Sequence, residues 1–567
     1  MYIEIIPNRT SPPTILLRES YRDGSQVRKR TLANLTHWPA EVVTTLQRTL
    51  QGERLVGLND AFQILRSLPH GHVEAVLGTI KRLGVDTLIA AKRCRERDLV
   101  LAMIAARLLH PCSKLATTRL WHTTTLAEAL GVADADEDDL YAAMDWLLAR
   151  QARLEKKLAA RHLTNGAHAL YDVTSSYYEG RKCPLARFGY DRDGKKGRPI
   201  IVYGLLTDHA GRPVAVETYA GNTADPTTVP DQVRKLRQRF GLTHVVLVGD
   251  RGMLTQTQID TLKRYPGLGW IAALRAPAIR ALVEEDRIAP SLFDQHPLAE
   301  IVSPDYPGER LVVCYNPLLA AERQRKREAW LVATEQALQK IARAVARRTK
   351  TPLAPGELGT KVGKVLNRYK VGKHFTLTIA DNAFTFARKE QAIQREALLD
   401  GLYVIRTSEP PERLSAADTV RSYKNLARVE QAFRCLKGLD LLVRPIRHWD
   451  EHRVRAHILV CMLAYYVEWH MRQALAPLLF EDEELEGARW RRDPVAPAQP
   501  SSAVQKKKSL RLTSDGLPIH SFQTLLAALG TRCKNFCQSK ATPGGFTFTQ
   551  LTTLTPLQQR ASQLLGL

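Results

Sequence analysis

The chain has 567 residues, 82 of them Lys or Arg against 58 Asp or Glu, a formal net charge of +24. At about 150 residues per domain that length suits three or four domains, and 44% hydrophobic with 25% charged residues excludes global disorder. Eight cysteines are too few for a disulfide scaffold, and the longest apolar stretch, Ile458 to Val467, ends at Glu468, short of the ~20 residues of a membrane helix.

The expectation is a soluble protein of the reducing cytosol, with no membrane partner and no signal peptide, since the N-terminus carries an early acid and no apolar core. A positive field of this size suits a polyanionic partner, usually nucleic acid, against the alternative of a solvated basic surface.

Residues 1–165 read as a mainly helical, DNA-binding N-terminal region. It opens with two strands, Tyr2 to Ile6 and Thr14 to Tyr21, and a turn at Asp23-Gly24. After Leu50 the pattern is helical. Arg97 to Leu109 forms a helix stopped by Pro111, and Asp138 to Arg161 another, with acids at its start and bases near its end, as the helix dipole favours. Short helices at Ser113 to Trp121 and Thr125 to Leu130 leave open a helix-turn-helix or a plain bundle.

From His168 the period changes. Ala169 to Tyr177, Pro199 to Thr207 and Pro213 to Tyr219 read as a three-strand meander. A helix over Thr228 to Phe240, a strand His244 to Val248, a helix Thr255 to Tyr265 and a strand Trp270 to Leu274 follow. The order β-β-β-α-β-α-β, with an apolar strand flanked by helices, requires a sheet buried on both faces. The fold class is α/β, a mixed-sheet core over 166–275 and 401–475, interrupted by an insertion at 276–400. That insertion holds a basic helix, Leu318 to Arg348, and a hairpin, Phe375 to Ala387, turning at Asp381-Asn382. Residues 476–567 read as a basic linker and C-terminal tail, a place for dimerisation or DNA contact. Arg491 to Ser509 is rich in Pro, Ser and Lys and is expected to be a linker or mobile arm.

Asp172 lies within the first strand of the meander, and Asp250, in Val248-Gly-Asp-Arg-Gly-Met, lies just past the fourth strand. If those strands are neighbours, both carboxylates reach one site at the carboxyl ends of the strands. Taken singly, Asp250 serves equally well as a turn cap and Asp172 as a hydrogen-bonded edge residue. The unbroken segment from Tyr423 to Lys437 predicts one helix, with Tyr423, Glu430 and Lys437 spaced by seven on nearly one face and Arg434 one turn after Glu430. A solvated helix with a Glu–Arg pair has the same pattern. Three carboxylates without a nearby His or Cys suit a hard divalent cation, Mg²⁺ or Mn²⁺, and not zinc.

Strand order, the two aspartates and the Tyr–Glu–Lys helix resemble the DDE insertion-sequence transposases with an RNase H-like catalytic core. Their signature, Tyr-x2-Arg-x3-Glu-x6-Lys, is matched by Tyr423, Glu430 and Lys437, with Leu426 at the arginine position and Arg428 or Arg434 as its replacement. Leu170 to Gly180, Gly221 to Asp225, Val248 to Met253 and Leu463 to Trp469 also resemble family blocks. The resemblance implies cleavage at element ends and strand transfer into target DNA, with two Mg²⁺ ions, replaceable by Mn²⁺, held by Asp172, Asp250 and Glu430. It also implies DNA contacts from Lys437 and Tyr423, a homodimer in a synaptic complex, and a cytoplasmic, nucleoid location. A non-catalytic transposase-derived DNA-binding protein and an RNase H-like nuclease without strand transfer are the alternatives.

Other motifs read as decoys. Gly189-x4-Gly194-Lys195 nearly spells a P-loop, but Lys196 replaces the Ser or Thr, leaving a polar hairpin loop whose Lys195 and Lys196 suit DNA contact. Asp191 and Asp193 lack the other ligands of a calcium loop, and Cys533-x3-Cys537 has no partner pair for zinc. Glu468 competes as third acid but lacks basic companions, and Glu179 and Glu217 lack a comparable context.

Overall fold

The computed structural model describes residues 1–53, 61–293, 296–348, 353–381, 383–540 and 545–567. The chain divides into two compact units, 1–68 with 533–553, and 69–532 with 554–567.

In the smaller unit, Tyr2–Ile6, Thr14–Asp23 and Gln26–Asn34 form an antiparallel meander, followed by the helix Ala40–Leu50. The third strand completes the turn at Gly24, whose φ of 65° suits a residue without Cβ. Residues 54–60, the start of the stretch expected to be helical after Leu50, lie outside the described residues, and helices resume at Gly71. Phe62–Pro69 is a strand, in a sheet with Cys533–Ser539 and Thr547–Leu551. Its partner is too distant in sequence for local periodicity to reveal it. Cys537 is buried in that sheet, and all eight cysteines are free thiols.

The larger unit opens with helices. Arg95–Leu109 is buried over nearly its whole length. The expected single helix from Asp138 is two, Glu137–Leu148 and Gln151–His162. Arg150 folds back to donate to the Trp146 carbonyl at 2.9 Å, which satisfies an end carbonyl and stabilises the break.

The central sheet has eight strands: β1 (Ala167–Tyr177), β2 (Ile200–Thr207), β3 (Pro213–Ala220), β4 (Val245–Val248), β5 (Leu268–Ala273), β6 (Leu298–Ile301), β7 (Arg310–Tyr315) and β8 (Leu402–Thr407). Their spatial order is β6-β7-β8-β5-β4-β1-β2-β3. β1, β2 and β3 pair antiparallel, β4 lies parallel beside β1, and β5 parallel beside β4. This is the RNase H-like arrangement expected from the sequence. β2 and β4 are buried throughout, which is why they read as continuous apolar runs.

The region expected as an insertion is partly sheet, because β6 and β7 extend the core through β8. What stands apart is a smaller body. It comprises the helices Pro317–Ala346, Pro355–Tyr369 and Glu390–Ala397 and the hairpin Phe375–Ala380 with Ala383–Arg388, around a core that includes Leu331, Leu338, Leu358 and Phe384. Asn382, expected in the hairpin turn, lies outside the described residues.

Arg491 to Ser509 is not a free arm. Val495 is buried, its carbonyl accepts from Asn316 at 3.1 Å, and the ammonium of Lys424 binds the carbonyls of 494, 495 and 496. Ser501 then caps the helix Ser502–Leu510. Composition hides this order because several of the contacts are made to backbone carbonyls. Among the described residues no single helix is long and apolar enough to cross a membrane. The apolar Ile458–Val467 stretch is the middle of Glu451–Leu475, a helix buried in the core.

Candidate functional site

Register places the two aspartates. Leu170 of β1 pairs with Val248 of the parallel β4, and Asp172 and Asp250 each follow that pair by two residues. The two-residue period of a strand keeps Asp172 on the face of Leu170, and parallel neighbours lie ~4.8 Å apart, so the acids emerge together at the ends of the paired strands. Asp172 Oδ1 accepts from the Val173 amide at 2.7 Å. Asp250 Oδ1 accepts from Gly252 and Met253 amides at 2.9 and 2.7 Å, so this residue caps its turn and still faces the cavity.

The third acid arrives on the helix Leu426–Lys437. Val429, Ala432, Phe433 and Leu436 are its buried stripe, and Phe433 meets Tyr203 of β2 edge-on at 6.0 Å. Glu430 lies on the opposite, exposed side. Asp172, Asp250, Glu430, Arg434 and Lys437 together line one cavity of about 500 Å³.

The expected single helix from Tyr423 is two. Ala416–Lys424 ends at Asn425, whose amide donates to both Arg421 and Ser422 carbonyls. Lys424 is tied to carbonyls 494–496 and Ser422 to His168, so tertiary contacts, not a breaker residue, set the break. Tyr423 therefore sits on the preceding helix. It still feels the acids, because burial pushes its hydroxyl up to about 12 and Asp250, Glu430 and Asp172 push the same way.

The cavity has walls that sequence reasoning did not assign to it: Asp193, Asp225, Arg192 and Arg444. Asp193, in the loop after β1, is the anchor. Its side chain is fully buried, accepts from the Tyr177 amide at 3.0 Å, and pairs with Lys437 at 2.8 Å and with Arg444. Arg192 binds Asp225 at 2.5 Å. Asp225 ends the Gly221 to Asp225 block, which is its signal in the sequence.

Burial draws the Lys437 ammonium below its ordinary value, and Asp193 opposes this. Arg434 is exposed and makes no ion pair among the described residues. Leu426, at the signature arginine position, is buried and cannot serve as a polar contact. Arg428 pairs with Glu486 and is not a wall of the cavity. Lys195 and Lys196 are exposed on the Asp193 loop, outside the cavity walls.

The donor set suits a hard cation. All three acids offer oxygen, and Asp172 is pushed up to about 7 by burial, with Asp250 and Glu430 adding to the rise. A divalent cation relieves that excess of negative charge. Among the described residues, the group with ligand atoms within 4.8 Å of one another is a different one, Cys435, Asp440 and Glu468. The cavity acids stand wider apart. The tighter group already holds a cation: Arg472 contacts Glu468 at 2.6 Å, Asp440 at 3.0 Å and Glu481 at 3.1 Å.

A sequence model described as the transposase DDE domain matches residues 166–467, which covers the mixed sheet and the helices that bring the third acid. The chain belongs to the DDE-domain transposases. A second model, the IS1634 family transposase N-terminal domain, matches residues 3–57. No curated protein matches the chain. Among solved structures, the chain is similar to a piggyBac transposase in a synaptic complex with hairpin DNA. The identity is 10% over 81% of this chain and 78% of that one, at a TM-score of 0.33, too low to support an inference.

Proposed function

We propose that the chain cleaves DNA at the ends of an insertion sequence and transfers the freed strand to target DNA. The observation that supports this reading is the cavity of a DDE-family chain lined by Asp172, Asp250 and Glu430, with Asp172 raised by burial and further by the other two. These residues would hold two Mg²⁺ ions, or Mn²⁺, and the bound ions supply Lewis-acid charge for phosphoryl transfer. Arg434, exposed and without an ion pair among the described residues, meets the strand at a backbone phosphate. Lys437 exchanges part of its bond to Asp193 for a phosphate near the scissile position, and Tyr423 packs against the terminal nucleotides. Lys195, Lys196 and Arg428 contact duplex beyond the cavity, by charge and without reading sequence. Synapsis of two element ends makes the working form a homodimer, acting on double-stranded DNA in the cytosol.

The test uses purified protein and a labelled duplex carrying the DNA that flanks its own gene, with Mg²⁺ or EDTA, beside Asp172→Ala and Glu430→Ala. Metal-dependent nicks at the element end, absent from both variants, support the reading. Binding without cleavage in all three proteins overturns it in favour of a DNA-binding relic. Nicking with no strand-transfer product leaves a nuclease.

A further inference from the structure

The larger unit holds a second cavity, of about 1100 Å³, which shares Arg444 with the acidic one. Its depth is set by Arg107, from the helix Arg95–Leu109, and Lys114, at the start of Lys114–Leu120. Their exposures are 6% and 4%.

Buried cations normally have anionic partners, because an unpaired charge out of water is costly. Elsewhere among the described residues the rule holds. Lys235 pairs with Glu155 and Glu217, Arg406 with Glu309, Arg310 with Glu300 and Arg97 with Asp98. Arg107 reaches only the carbonyls of Leu441 and Cys112, at 3.5 and 3.2 Å, and Lys114 has neither an ion pair nor a hydrogen bond among the described residues.

The two acids on the cavity wall do not fill the gap. Asp450 caps the helix Glu451–Leu475 through the His452 amide, and Asp145 is exposed, with no ion pair to either cation. Of the other arginines on the wall, Arg444 pairs with Asp193, Arg447 with Glu179, and Arg453 stacks 4.3 Å over Tyr141.

We propose that this cavity is a phosphate-binding pocket, in which Arg107 and Lys114 take a phosphate of a DNA strand that leaves the acidic cavity past Arg444. The pocket is argued from its unpaired charges alone; the identity of the strand rests on the proposed function.

Two further observations agree. Burial, with Arg107 beside it, draws Lys114 down to about 7, so an anion would restore its charge. Burial also holds His448 near 3, with Lys114, Arg107 and Arg453 adding to the fall, so that ring brings no positive charge of its own.

The test begins with thermal denaturation of the full chain in inorganic phosphate or chloride at matched ionic strength, with EDTA throughout. Phosphate is expected to raise the wild-type Tm by a few degrees over chloride. Lys114→Met loses that response and in chloride is at least as stable as wild type, because an unpaired buried charge is gone. Lys114→Arg keeps the response, and Arg107→Met gives a second reading of its loss should Lys114→Met not fold. No phosphate shift in wild type, or equal shifts in wild type and both methionine variants, overturns the pocket.

A short oligonucleotide with a 5′-phosphate or a 5′-hydroxyl then separates the sources. Loss of roughly ten- to a hundredfold in affinity for both forms in Lys114→Met identifies an internal phosphodiester, and loss confined to the phosphorylated form a terminal phosphate. Unchanged affinity for both, with the phosphate shift intact, leaves free phosphate as the ligand and overturns the strand assignment. Neither assay needs cleavage, so a failure of the proposed function is read separately.

Discussion

One helix, Leu426–Lys437, serves two groups of acids from opposite sides. Glu430 faces the cavity with Asp172 and Asp250, while Cys435 packs beside Asp440 and Glu468. Burial pushes Asp172 and Glu468 alike up to about 7, so a perturbed carboxyl does not tell the two groups apart. The counter-charge does. Arg472 binds three carboxylates around Glu468 and stacks over Phe522, closing that group on itself. The cavity acids have basic neighbours, but Lys437 and Arg444 are spent on Asp193 and Arg192 on Asp225, which leaves Arg434 against Asp172, Asp250 and Glu430. Negative charge left over at an open cavity marks a place for a cation and a substrate.

The largest expected effect follows directly. Asp172→Asn or Glu430→Gln should lower Mg²⁺-dependent nicking by roughly 10³-fold or more, as loss of a central electrostatic group does, while DNA binding in EDTA is kept. Glu468→Gln, read in the same assay, should nick as wild type does. Equal losses from Glu468→Gln and Glu430→Gln would erase the distinction between the two groups.

Removing the counter-charge probes the closed group. Arg472→Met strands Glu468, which is fully buried, and should destabilise the chain by about 3–5 kcal/mol in urea unfolding. Adding Glu468→Leu should restore most of that, because an apolar pair of similar volume needs no partner. A loss from Arg472→Met below about 1 kcal/mol would show that the group behaves as a surface ion pair.

How far the sequence discloses these places depends on how local their causes are. Asp172 and Asp250 are legible because strand period and a short parallel pairing bring them together, and Glu430 because its helix carries a clear apolar stripe. The break at Asn425 is not legible, since Lys424 and Ser422 are held by residues 494–496 and His168. Asp193 is hidden for a similar reason: its role arises only when Tyr177, Lys437 and Arg444 converge on it. β6 and β7 read as insertion because nothing in their composition says that β8 is their partner, and Phe62–Pro69 waits on a strand from the far end of the chain.

Asp193 provides a smaller effect on the cavity side. Asp193→Ala frees Lys437 and Arg444 from their shared anchor and leaves Asp172, Asp250 and Glu430 in place. Nicking should fall roughly 10- to 100-fold, the range for outer-shell partners, with the Mg²⁺ concentration for half-maximal activity unchanged. A shift in that concentration instead would make Asp193 part of the metal-holding set.

The smallest effect decides which arginine stands in for the one that Leu426 displaces. Arg428 is tied to Glu486, which is largely exposed, so Arg428→Ala should change stability by no more than ~1 kcal/mol and leave nicking at the wild-type rate. Arg434 lines the cavity with no ion pair among the described residues, and Arg434→Ala should weaken DNA binding and reduce its salt dependence by about one counterion. If Arg428→Ala lowers nicking and Arg434→Ala does not, the strand runs along the Glu486 side of the helix, and the cavity acids are approached from the opposite direction.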